Sequence, residues 1–159
     1  MRYEKILVPY DGSEHSLHAL QTAMKLVDGD DDARLCVLTV VPTPSIDLDR
    51  GFSEDAAAEA APGTMDFETF HKSSSVATEH AKKSLVDDVS IELDLLGPKG
   101  SADAVASTSV ARGILGYASM NGYDLIVMGR RGFKSVRGAV GSVCTEVLGG
   151  AQIPILTVQ

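Results

Sequence analysis

Cysteine is scarce in this sequence: Cys36 and Cys144 are the only two, both lie in apolar surroundings, and no Cys-x-x-Cys spacing occurs. That excludes a disulfide framework and a thiolate metal site, and it leaves two reduced core residues, one in a strand and one in a helix. Long apolar runs are missing too. No stretch approaches eighteen consecutive apolar residues, and Met1-Arg2-Tyr3-Glu4 leads straight into a strand. Neither a membrane span nor a signal peptide is read, and a cytoplasmic location is expected. Positive charge is in deficit, with 14 Lys and Arg against 22 Asp and Glu and a net charge of -8. Such a field repels nucleic acid and anionic membranes, which argues against both as partners. The same acidity suits a high-salt cytoplasm. Several familiar motifs are absent: no Gly-x-x-x-x-Gly-Lys-Ser/Thr, no Gly-x-Gly-x-x-Gly opening a helix, and no Ser-His-Asp or Cys-His nucleophile arrangement.

What is present is an α/β rhythm. The 159 residues, 44% apolar and 23% charged, read as a single domain over 1–159, long enough to bury a real core. A first strand, Lys5 to Pro9, ends at Tyr10-Asp11-Gly12-Ser13. Ser13 is placed to cap a helix carrying Leu17, Leu20, Met24 and Val27 at three- and four-residue spacing. Arg34 to Val41 reads as a second buried strand. Periodicity then fails from Pro42 to Met65, which is either a flap over a site or a surface excursion. The spacing predicts a helix over Asp66 to Leu85, with Phe67, Phe70, Ala77, Ala81 and Leu85 on one face. Val89, Ile91, Leu93 and Leu95 alternate with polar residues and predict an edge strand. A helix with Val110, Ile114, Leu115 and Ala118 follows, then strand Leu125 to Met128, helix Ser142 to Leu148 and strand Ile153 to Val158. Five strands alternating with four helices imply a parallel sheet covered on both faces, with ligand beyond the carboxyl ends where strand order reverses.

The chemistry gathers between Asp124 and Ser142. There an apolar strand empties into Gly129-Arg130-Arg131-Gly132 and, after a short loop, Gly141-Ser142 opens a helix. Unpaired helix-start amides, glycines that admit close approach, and the cations Arg130, Arg131, Lys134 and Arg137 suit a phosphate. The plain alternative is a set of tight turns with solvated arginines. Asp11 also has two readings: turn-maker in Asp-Gly-Ser, or ligand carboxylate at a strand end. Ser142 is a candidate cap, although Thr145 stands where a capping box wants Glu.

Ile6-Leu7-Val8-Pro9-Tyr10-Asp11-Gly12-Ser13, Asp124 to Gly132, Gly141-Ser142-Val143 and the closing Ile153 to Val158 resemble the universal stress protein family. The resemblance implies a strand order of 3-2-1-4-5, homodimers through the final strand Ile153 to Val158, and binding of ATP, with Mg2+ as a possible companion. By position it implies that Asp11 and the backbone near Pro9 face the adenosine, that Val40 meets adenine, and that Met128 lines the pocket. Gly129, Gly132, Gly141, Ser142 and Val143 would hold ribose and phosphates, with Arg130 among the loop cations beside them. Two departures stand out. Eight residues, Phe133 to Val140, separate the last two glycines where ATP-binding members usually have nine, and Gly97 to Ser107 replaces a short join. A nucleotide-free dimeric interaction module is therefore the alternative function. No general base is evident, so any ATP hydrolysis should be slow. His15-Ser16-Leu17-His18 is similar to a nucleotide-transferase tetrad, but Leu17 replaces its glycine and no third metal ligand is indicated.

Overall fold

The computed structural model of the chain describes residues 2–43, 67–132 and 140–159. Its elements run β1 (Lys5–Pro9), α1 (Glu14–Val27), β2 (Arg34–Pro42), α2 (Phe67–Asp88), α3 (Ser90–Leu96), β3 (Gly100–Ser107), α4 (Val110–Met120), β4 (Leu125–Gly129), α5 (Ser142–Gly150) and β5 (Ile155–Val158). A single 3-10 turn, Gly97–Lys99, leads into β3. The sheet is parallel throughout, in the order β3-β2-β1-β4-β5. This is the doubly wound α/β fold with the strand order that the resemblance implied.

Two cores follow from the pleat. Because successive strand residues face opposite sides, Ile6, Val8, Leu35, Val37, Leu125 and Val127 pack against α1, α2 and α3. Leu7, Cys36, Leu38, Ile126 and Met128 pack against α4 and α5. Both cysteines are free and buried. Among the described residues no helix is long and apolar enough to cross a membrane. The chain switches from one face to the other between β1 and β4, which opens a crevice at their carboxyl ends.

One expected element is corrected. Residues Ser90–Leu96 form a helix, α3, and the edge strand is Gly100–Ser107 instead. Val89, Leu93 and Leu96 turn inward at four- and three-residue spacing, while Ile91 and Leu95 stand 71% and 74% exposed. The apolar alternation was thus half coincidence. Among the described residues the sheet accordingly carries five α-helices, where the sequence reading had four. On α2 the inward seam runs through Thr78, Ala81 and Leu85, with Ala77 exposed. Phe67 and Phe70 lie in the first turn of that helix, and their side chains fall outside the described residues, as do 44–66 and with them most of the stretch read as flap or excursion.

The edge strand is fastened by a polar clasp. Asp103 accepts a hydrogen bond from the Tyr117 hydroxyl at 2.8 Å and pairs with Lys82 Nζ at 3.2 Å. Tyr117 in turn stacks on Tyr123, with ring centroids 5.8 Å apart. Burial pushes the Asp103 carboxyl up, but hydrogen bonds from Tyr117, the Ala104 N–H and Lys82 outweigh it and hold the group below its ordinary value. Burial, then the bond to Asp103, raises the Tyr117 hydroxyl well above its ordinary 10.0. Burial raises Tyr123 as well. A raised folded-state pKa gives stability that is complete below the unfolded value and fades as pH climbs through the folded one. The thermal midpoint should therefore drop from about pH 10 upward, and Tyr117→Phe should shallow that alkaline limb. Melting curves on both proteins across this range check it, and superimposable limbs would refute the assignment.

Candidate functional site

β1 delivers the first wall. Past Pro9 the chain turns through Asp11, Gly12 at φ 82 and Ser13. Asp11 Oδ1 accepts from the Ser13 N–H at 3.0 Å and from its hydroxyl at 2.5 Å, and Ser13 Oγ accepts from the Ser16 N–H at 3.2 Å. Ser13 thus caps α1 as its position suggests. The two readings of Asp11 are compatible in this geometry. One oxygen makes the turn, and the other, Oδ2, lies so close to Gly132 that a Cβ built there would sit 2.5 Å from it.

β4 delivers the facing wall. At Gly129 a Cβ would fall 2.7 Å from the His15 carbonyl carbon, so a bare Cα is what lets α1 seat against the strand. Arg130 follows, its N–H donating to Val158 O at 2.7 Å. Its carbonyl accepts from the Gly141 N–H at 2.9 Å, so one hydrogen bond closes the neck of the glycine loop. Residues 133–139 of that loop, with Lys134 and Arg137, lie outside the described residues.

α5 then begins at the crevice, with its first residues on the wall. Its cap position is held by Gly141, without a side-chain cap bond, and Ser142 is the first helical residue. That corrects the capping role considered for Ser142. Thr145 instead donates its hydroxyl back to Gly141 O at 3.0 Å. First-turn amides at such a start have no intrahelical acceptor. Glu146, whose charge would oppose an anion there, has its Oε1 3.4 Å from the Ser109 hydroxyl on α4.

These pieces enclose a cleft of about 380 Å³. Pro9, Asp11, Val40, Met128, Gly129, Gly132, Gly141, Ser142 and Val143 all line it, bringing nine of the ten site residues named from the sequence to one place. Arg130 is the exception. Its guanidinium lies 2.9 Å from the Gln159 carboxamide, behind the wall, and Arg131 is the loop arginine on the cleft side. His15 and His18 are not on the wall either; His18 Nδ1 is 3.2 Å from the Gln159 main-chain oxygen. Among the described residues no group of His, Cys, Asp and Glu could hold a metal ion by itself. Sequence reasoning did not assign Leu38, Thr39, Val110, Ile114 or Cys144 to the cleft. They read as core positions, and only the topology shows that the core is open at that end. Burial raises the Cys144 thiol while nearby Arg130 opposes it, which keeps the sulfur a neutral wall atom.

Strand geometry adds a polar edge to this mostly apolar end. β1 stops opposite Leu38, whose carbonyl accepts from Tyr10 N–H at 2.8 Å, whereas β2 continues to Pro42 alongside β3. Hydrogen bonding in a parallel sheet alternates sides along a strand. Leu38 bonds toward β1, so the N–H and C=O of Val40 also point that way, over the space that β1 has vacated.

Fold and cleft together define a doubly wound α/β protein with a ligand crevice at its switch point. Within that class the chain belongs to the universal stress protein family, whose model matches residues 2–159. Among solved structures it is similar to universal stress protein UspA from Lactobacillus plantarum, at 22% identity and TM-score 0.70, covering 100% of this chain and 99% of that one. A universal stress protein in complex with cAMP matches at 18% identity and TM-score 0.62, covering 100% and 98%. The universal stress protein from Archaeoglobus fulgidus in complex with dAMP matches at 17% identity and TM-score 0.58, covering 100% of both chains. No curated protein matches the sequence significantly.

Proposed function

We propose that the cleft binds an adenine nucleotide, ATP in the first instance, and that the protein is a nucleotide-responsive stress or signalling protein acting as a cytoplasmic homodimer. The observation that carries this reading is that one cleft joins an apolar slot, edged by Val40, to a helix start and Arg131. A donor and an acceptor side by side on Val40 suit adenine, whose N1 accepts and whose adjacent N6 amine donates. At the other end, the α5 amides, its dipole and the Arg131 guanidinium favour phosphate oxygens. The complexes of two structural relatives with cAMP and dAMP support the same ligand class.

Magnesium fits here only as a companion of the phosphates. Asp11 Oδ2, facing the gap left by a bare Gly132, would hold a water of its hydration shell, and the ion would supply charge neutralisation. Homodimerisation is supported by β5, which among the described residues ends the sheet with one side unpaired and has Leu156 38% exposed. Two free buried thiols suit a reducing compartment.

Calorimetric titration tests the ligand directly. ATP should bind saturably, more tightly with magnesium than without it, and denaturing the protein as purified should release adenine nucleotide. No heat with ATP, ADP, AMP or cAMP and no released nucleotide would leave the interaction-module reading in its place.

A further inference from the structure

We infer that Gly113, a residue of α4 far from the glycine loop in sequence, sets the size of the base end of the cleft and makes it a purine site. The inference rests on the nucleotide reading above and specifies the base class. α4 crosses the carboxyl ends of β2 and β3, and its Val110 and Ile114 face the cleft. Between them, Gly113 turns its bare Cα to the back of Val40. A Cβ at position 113 would meet Val40 Cγ1 at 2.7 Å, Val40 Cγ2 at 3.2 Å and Ser107 Cβ at 3.0 Å. Real side chains do not approach so closely, so one of the two neighbours must move. Both residues sit in the β2–β3 ladder, but Ser107 is met at its Cβ, which the backbone holds in place. Val40 is met at its γ methyls, which a side-chain rotation moves, and it is half-buried with the open cleft on its far side. Val40 is therefore the one that yields, into the space where a base would lie. Glycine at 113 is what keeps that wall drawn back.

Helix propensity sharpens the argument. Alanine is favoured over glycine in a helix interior, so Gly113→Ala should gain local helix stability, and lost binding would run against that trend. The same helix contains its own control. Among the described residues nothing lies within 4 Å of the corresponding Cβ position at Gly116, so Gly116→Ala makes the same chemical change without that contact.

The test compares ATP, CTP and inorganic triphosphate on wild type and variants by calorimetry. Gly113→Ala should weaken ATP about tenfold and shrink the preference for ATP over CTP, while triphosphate changes less than about twofold. Gly116→Ala should leave all three unchanged. Adding Val40→Ala to Gly113→Ala should recover most of the ATP affinity, because the displaced methyls are gone while the main-chain groups remain. If Gly113→Ala does not fold, Val40→Ile fills the same space from the strand side and should give the same split between ATP and triphosphate. Equal losses for ATP and triphosphate, no loss for ATP, or a wild type indifferent to the base would overturn the role of Gly113 and leave nucleotide binding standing. A wild type that takes up none of the three overturns the nucleotide reading, and this inference with it.

Discussion

Gly132→Val is expected to abolish measurable ATP uptake while leaving the fold intact. The added Cβ would lie 2.5 Å from Asp11 Oδ2, and its two methyls would occupy the gap between the Asp11 turn and the start of α5. Asp11 can yield only by loosening the bonds that its other oxygen makes to Ser13, and the methyls stay in the cleft whether it does or not. Ligand and side chain then compete for one volume. A loss of at least about 2.7 kcal/mol, or 100-fold, is the expected size. The fold should tolerate the change, since the atom that is crowded ends a side chain and Gly132 is not at a positive φ. Calorimetry and thermal melts on one sample decide it. Wild-type affinity in the variant would remove the glycine loop from the binding site.

Gly129→Val, three residues earlier, should do the reverse and strike the fold itself. Here the Cβ meets main chain: His15 C at 2.7 Å and His15 O at 2.9 Å. Neither can rotate aside. α1 would have to lift from β4, opening the core shared by Ala19, Leu20 and Val127. Overpacking typically costs about 1–3 kcal/mol, and contact with backbone puts this variant at the upper end, about 3 kcal/mol. For a chain of this size that corresponds to a fall of about 6–12 °C in Tm. Chemical denaturation should show the same loss at unchanged slope. A midpoint within a degree or two of wild type would mean that the close seating of α1 on Gly129 is not needed.

The two glycines show how much of the site was legible in the sequence and how much was not. Their placement after a buried apolar run pointed to close approach, but what approaches, helix backbone at one and a carboxylate at the other, depends on where β1 and α1 lie. The same limit explains Arg130 and Arg131. Adjacent loop residues point opposite ways, and sequence does not say which one faces the cleft. β1, α1, β2 and β4 were readable because continuous apolar runs and the Ser13 cap are local signals. The 89–107 region was not. Val89, Leu93 and Leu96 fit a helix as well as Val89, Ile91, Leu93 and Leu95 fit a strand, and seven residues are too few to separate the periods. The true edge strand, Gly-Ser-Ala-Asp-Ala-Val-Ala-Ser, has weak strand character of its own and owes its conformation to an eight-residue ladder with β2.

The bond from Arg130 N–H to Val158 O has a mechanical consequence. It hangs the entrance of the glycine loop on β5, an edge strand whose outer flank is unpaired among the described residues. A grip on that flank that shifts Val158 would tug the first amide of the loop, and a ligand that reshapes the loop would alter how the flank presents itself. By thermodynamic reciprocity such a coupling carries the same free energy in both directions. Occupancy of the crevice and company at the rim would then be two readouts of a single variable.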